Sequence, residues 1–154
     1  MHYFKLLPLL FLMSCSSIFG EMPDTFEELL VIGDKTELTS TKPYGELKQS
    51  IETYLQKCFP TNSSFDMAIN GVSVPVRGLR YKHRYNKIEN GHSFYVFMKI
   101  RDNDQPSIYI ELTQTKQEEV NILLYNPNFL GAPYKENIQR LATSTPPSGC
   151  TVWH

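Results

Sequence analysis

The chain has 154 residues, with 15 Lys and Arg against 16 Asp and Glu. That is the length of one ordinary domain. The near balance of charge points away from a polybasic nucleic-acid binder and from an acidic solvating tail.

The chain starts MHYFK, with one cation at Lys5, and continues with LLPLLFLM over 6–13. A bilayer-spanning helix takes about 20 apolar residues, so this run is too short to span. No later run is apolar enough. A charged start, a short apolar core and then small residues is the layout of an export signal. The stretch Leu12-Met13-Ser14-Cys15 resembles a bacterial lipobox, with an aliphatic residue at −3, a small one at −1 and then Cys. Met13 at −2 departs mildly from that pattern. The resemblance covers about 20 residues and implies a processing class. Residues 1–14 would be a lipoprotein signal peptide and Cys15 would be the acylated first residue of the mature chain, anchored in outer-membrane lipid. Ser16 would direct export to the outer membrane, facing the periplasm. The alternative is an ordinary secreted protein cut near Gly20, with Cys15 discarded.

With Cys15 lipidated or removed, Cys58 and Cys150 remain. In an oxidising compartment an even pair reads as one disulfide. It would fasten the tail TSTPPSGCTVWH, which has little else to hold it. The chain has no CxxC pair for redox chemistry.

Residues 15–42 read as lipid anchor and tether. Phe26–Ile32 within them has enough apolar character for a turn of helix or a short strand, and Gly33-Asp34 ends it. The domain then covers 43–154. PYGELKQSIETYLQKC, 43–58, predicts a helix with Tyr44, Leu47, Ile51, Tyr54, Leu55 and Cys58 on one face. Pro43 suits its first turn and Phe59-Pro60 stops it. A hairpin or weak strand is expected over 65–76, about Asn70-Gly71, with Pro75 marking an edge.

From about 77 to 126 the period changes to two. Leu79, Tyr81, His83 and Tyr85 alternate with Arg80, Lys82 and Arg84. Phe94, Val96, Met98 and Ile100 alternate with Tyr95, Phe97, Lys99 and Arg101. Ile108, Ile110 and Leu112 alternate with Tyr109 and Glu111. Val120, Ile122 and Leu124 alternate with Asn121, Leu123 and Tyr125. Asn90-Gly91, Asp102-Asn103-Asp104 and the polar run 115–118 are the turns. A second helix is expected over 133–144, with Tyr134, Ile138 and Leu141 as its stripe. The fold class is therefore α+β. A four- to five-stranded antiparallel meander carries an N-terminal and a C-terminal helix on its aliphatic face.

Simple hairpin registers then put Arg80 beside Phe97, Phe97 beside Glu111 and Glu111 beside Asn121. They put Lys82 beside Tyr95, and Lys99 beside Tyr109 beside Leu123. The second face becomes an aromatic–cationic surface of Arg80, Lys82, Tyr95, Phe97, Lys99, Tyr109, Leu123 and Tyr125. Aromatics and arginine dominate binding hot spots. The competing expectations are that these pairs merely brace the sheet, or that segment 21–40 covers them.

His83 reads as a satisfied core or edge histidine, and His92 lies beside a turn. No Asp or Glu is spaced with them for a metal, no G-x-S-x-G occurs, and no free Cys remains as a nucleophile. The expectation is a non-catalytic envelope lipoprotein with no cofactor, no metal and no nucleic-acid partner. It would bind an envelope protein, as an accessory or assembly factor or as a periplasmic immunity protein. The alternative is binding of a small ligand, lipid or glycan, with a secreted enzyme as the third class.

Overall fold

The computed structural model describes residues 23–61, 64–69, 72–77, 80–100, 102–115, 118–126 and 132–150, and of 64–69, 72–77, 132 and 133 the backbone alone. Within them lie α1 (Phe26–Ile32), β1 (Asp34–Ser40), α2 (Tyr44–Cys58), β2 (Ser64–Ile69), β3 (Val72–Arg77), β4 (Arg80–Ile88), β5 (Gly91–Ile100), β6 (Asn103–Gln114), β7 (Val120–Asn126) and α3 (Ala132–Ala142). Residues 1–22 lie outside this description, and with them the signal peptide, the lipobox and Cys15. Leu79, Arg101 and the Asn70-Gly71 turn lie outside it too.

The period-two segments pair in chain order as an antiparallel meander, β4 to β7. β1 adds to β7, so one five-stranded sheet runs β1-β7-β6-β5-β4. Phe94, Val96, Met98, Ile108, Ile110, Leu112, Val120, Ile122 and Leu124 are buried in one cluster. Leu47, Ile51, Tyr54, Leu55 and Cys58 of α2, and Tyr134, Ile138 and Leu141 of α3, join that cluster. Each large aliphatic side chain buried there contributes roughly 1.5–3 kcal/mol. The α+β class therefore stands, and the helical stripes and the aliphatic strand positions share one buried cluster.

Two expectations change. Residues 34–40 are no tether but the edge strand β1, in register Asp34↔Asn126 to Ser40↔Val120. The folded unit thus begins before residue 43, and α1 belongs to it. Only Leu38 among the inward positions of β1 is aliphatic, and it is half-buried; Thr36 and Ser40 are buried. The Ser40 hydroxyl donates to the Ala142 carbonyl at 2.6 Å, so a strand closes the C-terminal end of α3.

The registers also differ. Lys82 faces Phe97, Arg84 faces Tyr95 and Arg80 faces Lys99. Tyr95 faces Tyr109, and the register slips between Val96 and Phe97 because Ser107 is an extra residue in β6. Tyr109 faces Tyr125, and Glu111 faces Leu123. The β4–β5 connection is Glu89-Asn90, with Asn90 at φ 59, and Gly91 already belongs to β5. A Cβ on Gly91 would lie 1.8 Å from the Leu112 carbonyl oxygen, so close backbone approach demands glycine there. β2 and β3 form the expected hairpin, but as a separate two-stranded sheet in which Asp66 pairs with Pro75.

Candidate functional site

The outer parity of the sheet gathers the predicted surface residues in cross-strand rows. Tyr95, Tyr109 and Tyr125 form one row, with ring centroids 5.0 and 6.2 Å apart. Arg84 extends that row on β4 and Lys35 extends it on β1. In the next row Lys82 faces Phe97, and the Arg84 guanidinium carbon lies 5.5 Å from the Phe97 ring centroid. In the third, Arg80 faces Lys99, which faces Asp104. Lys82 Nζ donates to Asp104 Oδ2 at 2.7 Å. That hydrogen bond, with the nearby charges of Lys99 and Arg84, holds the Asp104 carboxyl below its ordinary range. Leu123 completes the set, beside Glu111 and Glu37.

The face is not fully open. The α1 sequence TFEELLVI starts at Thr25, whose hydroxyl accepts from the Glu28 amide at 3.2 Å, while Glu28 Oε2 accepts from the Asp24 amide at 2.7 Å. The helix sets the Phe26 ring edge-on to Tyr95, Phe97 and Tyr109, with centroids at 4.6, 5.2 and 6.1 Å. Phe97 is consequently only 8% exposed. Its assignment to an open binding surface is therefore corrected: it belongs to a second, smaller apolar cluster under α1. Tyr95, Lys99, Tyr109, Leu123 and Tyr125 are half-buried, and Arg80 and Lys82 are exposed. The Tyr109 hydroxyl donates to Glu111 Oε2 at 2.5 Å. Burial and that bond raise its pKa well above the usual phenol value. The outer side of α1 presents Leu30, Val31 and Ile32, with Val31 83% exposed.

The histidines sit apart from this face. His83 Nε2 lies 2.6 Å from the Phe59 carbonyl oxygen, so Nε2 carries the proton and Nδ1, 2.9 Å from the Tyr85 hydroxyl, accepts. That arrangement clips β4 to the end of α2, a structural role. His92 Nδ1 lies 2.6 Å from the Tyr44 hydroxyl. Burial first, and then the Lys48 charge, lower its pKa. Both residues border an open cleft of about 460 Å³ with Lys87, Asn90, Gln114 and Thr115. Among the described residues no group of three or more His, Cys, Asp or Glu is placed to hold a metal.

Cys58 and Cys150 are bonded, with Cα atoms 5.0 Å apart. The tail has a second fastening that the sequence did not suggest. Asn137, fully buried, donates to the Gly149 carbonyl at 2.9 Å and accepts from the Ser148 amide at 2.9 Å.

No known family matches this chain, and neither does any curated protein or solved structure.

Arg84, Asp104, Lys35 and Phe26 belong to the face and lie outside the set that the sequence predicts. Arg84 shares the parity of Arg80 and Lys82 and was legible from it. Phe26 lies in segment 21–40, whose covering of this face was one of the competing expectations, and Thr25-x-x-Glu28, a capping-box spacing, marks the start of its helix.

Proposed function

We propose that this chain is a non-catalytic protein-binding module of the cell envelope, lipid-anchored through Cys15. The observation that supports it most is the half-buried row Tyr95–Tyr109–Tyr125 flanked by Arg84, Lys82 and Lys99. Large rigid aromatics beside cations bury much area at low entropic cost, which is the composition of protein-binding hot spots. The near-neutral overall charge and the expected export signal favour an envelope protein over nucleic acid as the partner.

The cleft beside Tyr44 and His92 supports the second reading, a small polar ligand or glycan. Its polar, open lining departs from the mostly enclosed apolar pockets that drug-sized ligands fill.

The test uses Tyr125→Ala and Arg84→Ala in the full chain. Both variants are expected to lose partner capture from envelope extracts while melting within a few degrees of wild type. Capture that survives both substitutions would remove the face from the function. Metabolic labelling with a palmitate analogue is expected in wild type and not in Cys15→Ala. Equal labelling of the two, or none, would discard the anchor.

A further inference from the structure

Among the described residues β4 is the sheet's outermost strand and has a hydrogen-bonded neighbour on one side only, β5. Its other side carries backbone donors and acceptors that the sheet leaves available. Arg80, Lys82 and Arg84 project from it at alternate positions onto the outer face, and all three are exposed. Lys99, on the interior strand β5, stands between Arg80 and Asp104, whose carboxylate already accepts from Lys82. Like charges directly opposite destabilise a strand pair. Lys82 has its carboxylate in Asp104, whereas among the described residues no carboxylate pairs with Arg80 or Arg84.

Cations on an edge strand also blunt aggregation. That explanation does not cover Lys99, which is not on the edge. Nor does it match the opposite edge, where Lys35 pairs with Glu37 at 2.5 Å and the row neutralises itself. The two edges are built differently, one balanced and one carrying surplus positive charge.

We infer that the β4 edge docks an extended acidic segment of a partner protein, added as a further strand. Strand addition draws affinity from main-chain hydrogen bonds and specificity from alternate side chains. Period two places every second residue of the added strand beside Arg80, Lys82 and Arg84 on the outer face. Glu or Asp at those positions meets each cation in turn and offsets the repulsion between Arg80 and Lys99. The aromatic edge of Phe97, under the Arg84 guanidinium, borders the same rows. This inference rests on the protein-binding reading and narrows it to one edge, one charge and one backbone conformation.

The experiment titrates the full chain with a short synthetic peptide alternating Glu with Thr, and with counterparts carrying Gln or Lys in place of Glu. Backbone amide shifts report where binding occurs. The Glu peptide is expected to shift β4 amides and to bind at least about ten-fold more tightly than the Gln peptide at low salt, the advantage shrinking as salt is raised. Arg80→Glu with Arg84→Glu is expected to abolish binding, and Arg80→Gln with Arg84→Gln to weaken it. Unchanged melting in the Gln pair keeps the result free of folding effects. Absence of binding, shifts confined to other elements, or indifference to both charge variants overturns the inference. So does preferential binding of phosphatidylglycerol vesicles through the same arginines, which would make the occupant a lipid surface. Concentration-dependent self-association lost on the same substitutions overturns it as well, in favour of a second copy. A photo-crosslinking residue at position 82 or 125 in cells separates this inference from the reading beneath it. A protein adduct at 125 alone keeps a protein-binding module and discards the β4 edge. No adduct at either position discards the module.

Discussion

Phe97 illustrates how one residue's parity and its burial are separate facts. Parity puts it on the outer face, between Lys82 and Pro106. Its neighbours there are the Phe26 ring edge-on at 5.2 Å and the Arg84 guanidinium at 5.5 Å. Truncating a buried phenylalanine removes transfer energy and leaves a cavity. Phe97→Ala is therefore expected to cost about 3 kcal/mol of unfolding stability, by the usual range for buried aromatics. Tyr125→Ala on the same face is expected to cost much less. Urea unfolding of both variants checks this, and equal losses would mean that the two rings share one environment.

At the scale of elements, α1 depends on docking. A helix of seven residues is far below the roughly 12–15 that an isolated helix needs in water. Its hold consists of the Phe26 ring, the fully buried Leu29 and the close passage at Gly33. A Cβ on Gly33 would lie 2.5 Å from the Leu29 carbonyl oxygen and 3.1 Å from that of Asn126. Gly33→Ala and Phe26→Ala are each expected to release α1, while the five-stranded sheet stays folded. Hydrogen exchange reads this: the Leu29 and Gly33 amides, which bond to the Thr25 and Leu29 carbonyls, should exchange rapidly. Strand amides such as those of Ile110 and Leu112 should stay protected. Retained protection in Phe26→Ala would assign the docking to Leu29 instead.

For the whole molecule, the disulfide and Asn137 fasten the same tail in different ways. The bridge joins residues 92 apart, and closing a loop of that size is worth roughly 4–5 kcal/mol through the unfolded chain. Asn137 acts in the folded chain, through its bonds to Ser148 and Gly149. With the tail held by Asn137, replacing both cysteines by alanine leaves the native contacts in place, so nearly the whole loop-closure term should be lost. The disulfide-free variant is expected to unfold at clearly lower denaturant with the Ser148 amide still protected. Adding Asn137→Ala should expose that amide. If Ser148 exchanges at once in the disulfide-free protein, the bridge alone holds the tail.

The sequence by itself determined the elements whose side-chain periods are clean. The stripe from Tyr44 to Cys58, the alternations through β5, β6 and β7, and the pairing of Cys58 with Cys150 were all legible, because burial imposes a period on each element separately. The outer-face set survived the β4–β5 and β6–β7 register errors because each was two residues, and an even slip keeps each side chain on its face; across the Ser107 bulge the error at Phe97 and Lys99 was five residues and changed only their β6 partners. Tertiary structure decided the rest. β1 was hidden because its buried positions are Thr36 and Ser40, short polar groups that read as tether until β7 and α3 supply their partners. The registers depended on a two-residue connection at Glu89-Asn90 and on the extra residue Ser107, neither of which leaves a periodic trace. The half-covered state of the aromatic face turned on Phe26, placed against it by a helix too short to exist alone. Local pattern fixes which side of a strand a residue takes; only the packed chain decides what lies over that side.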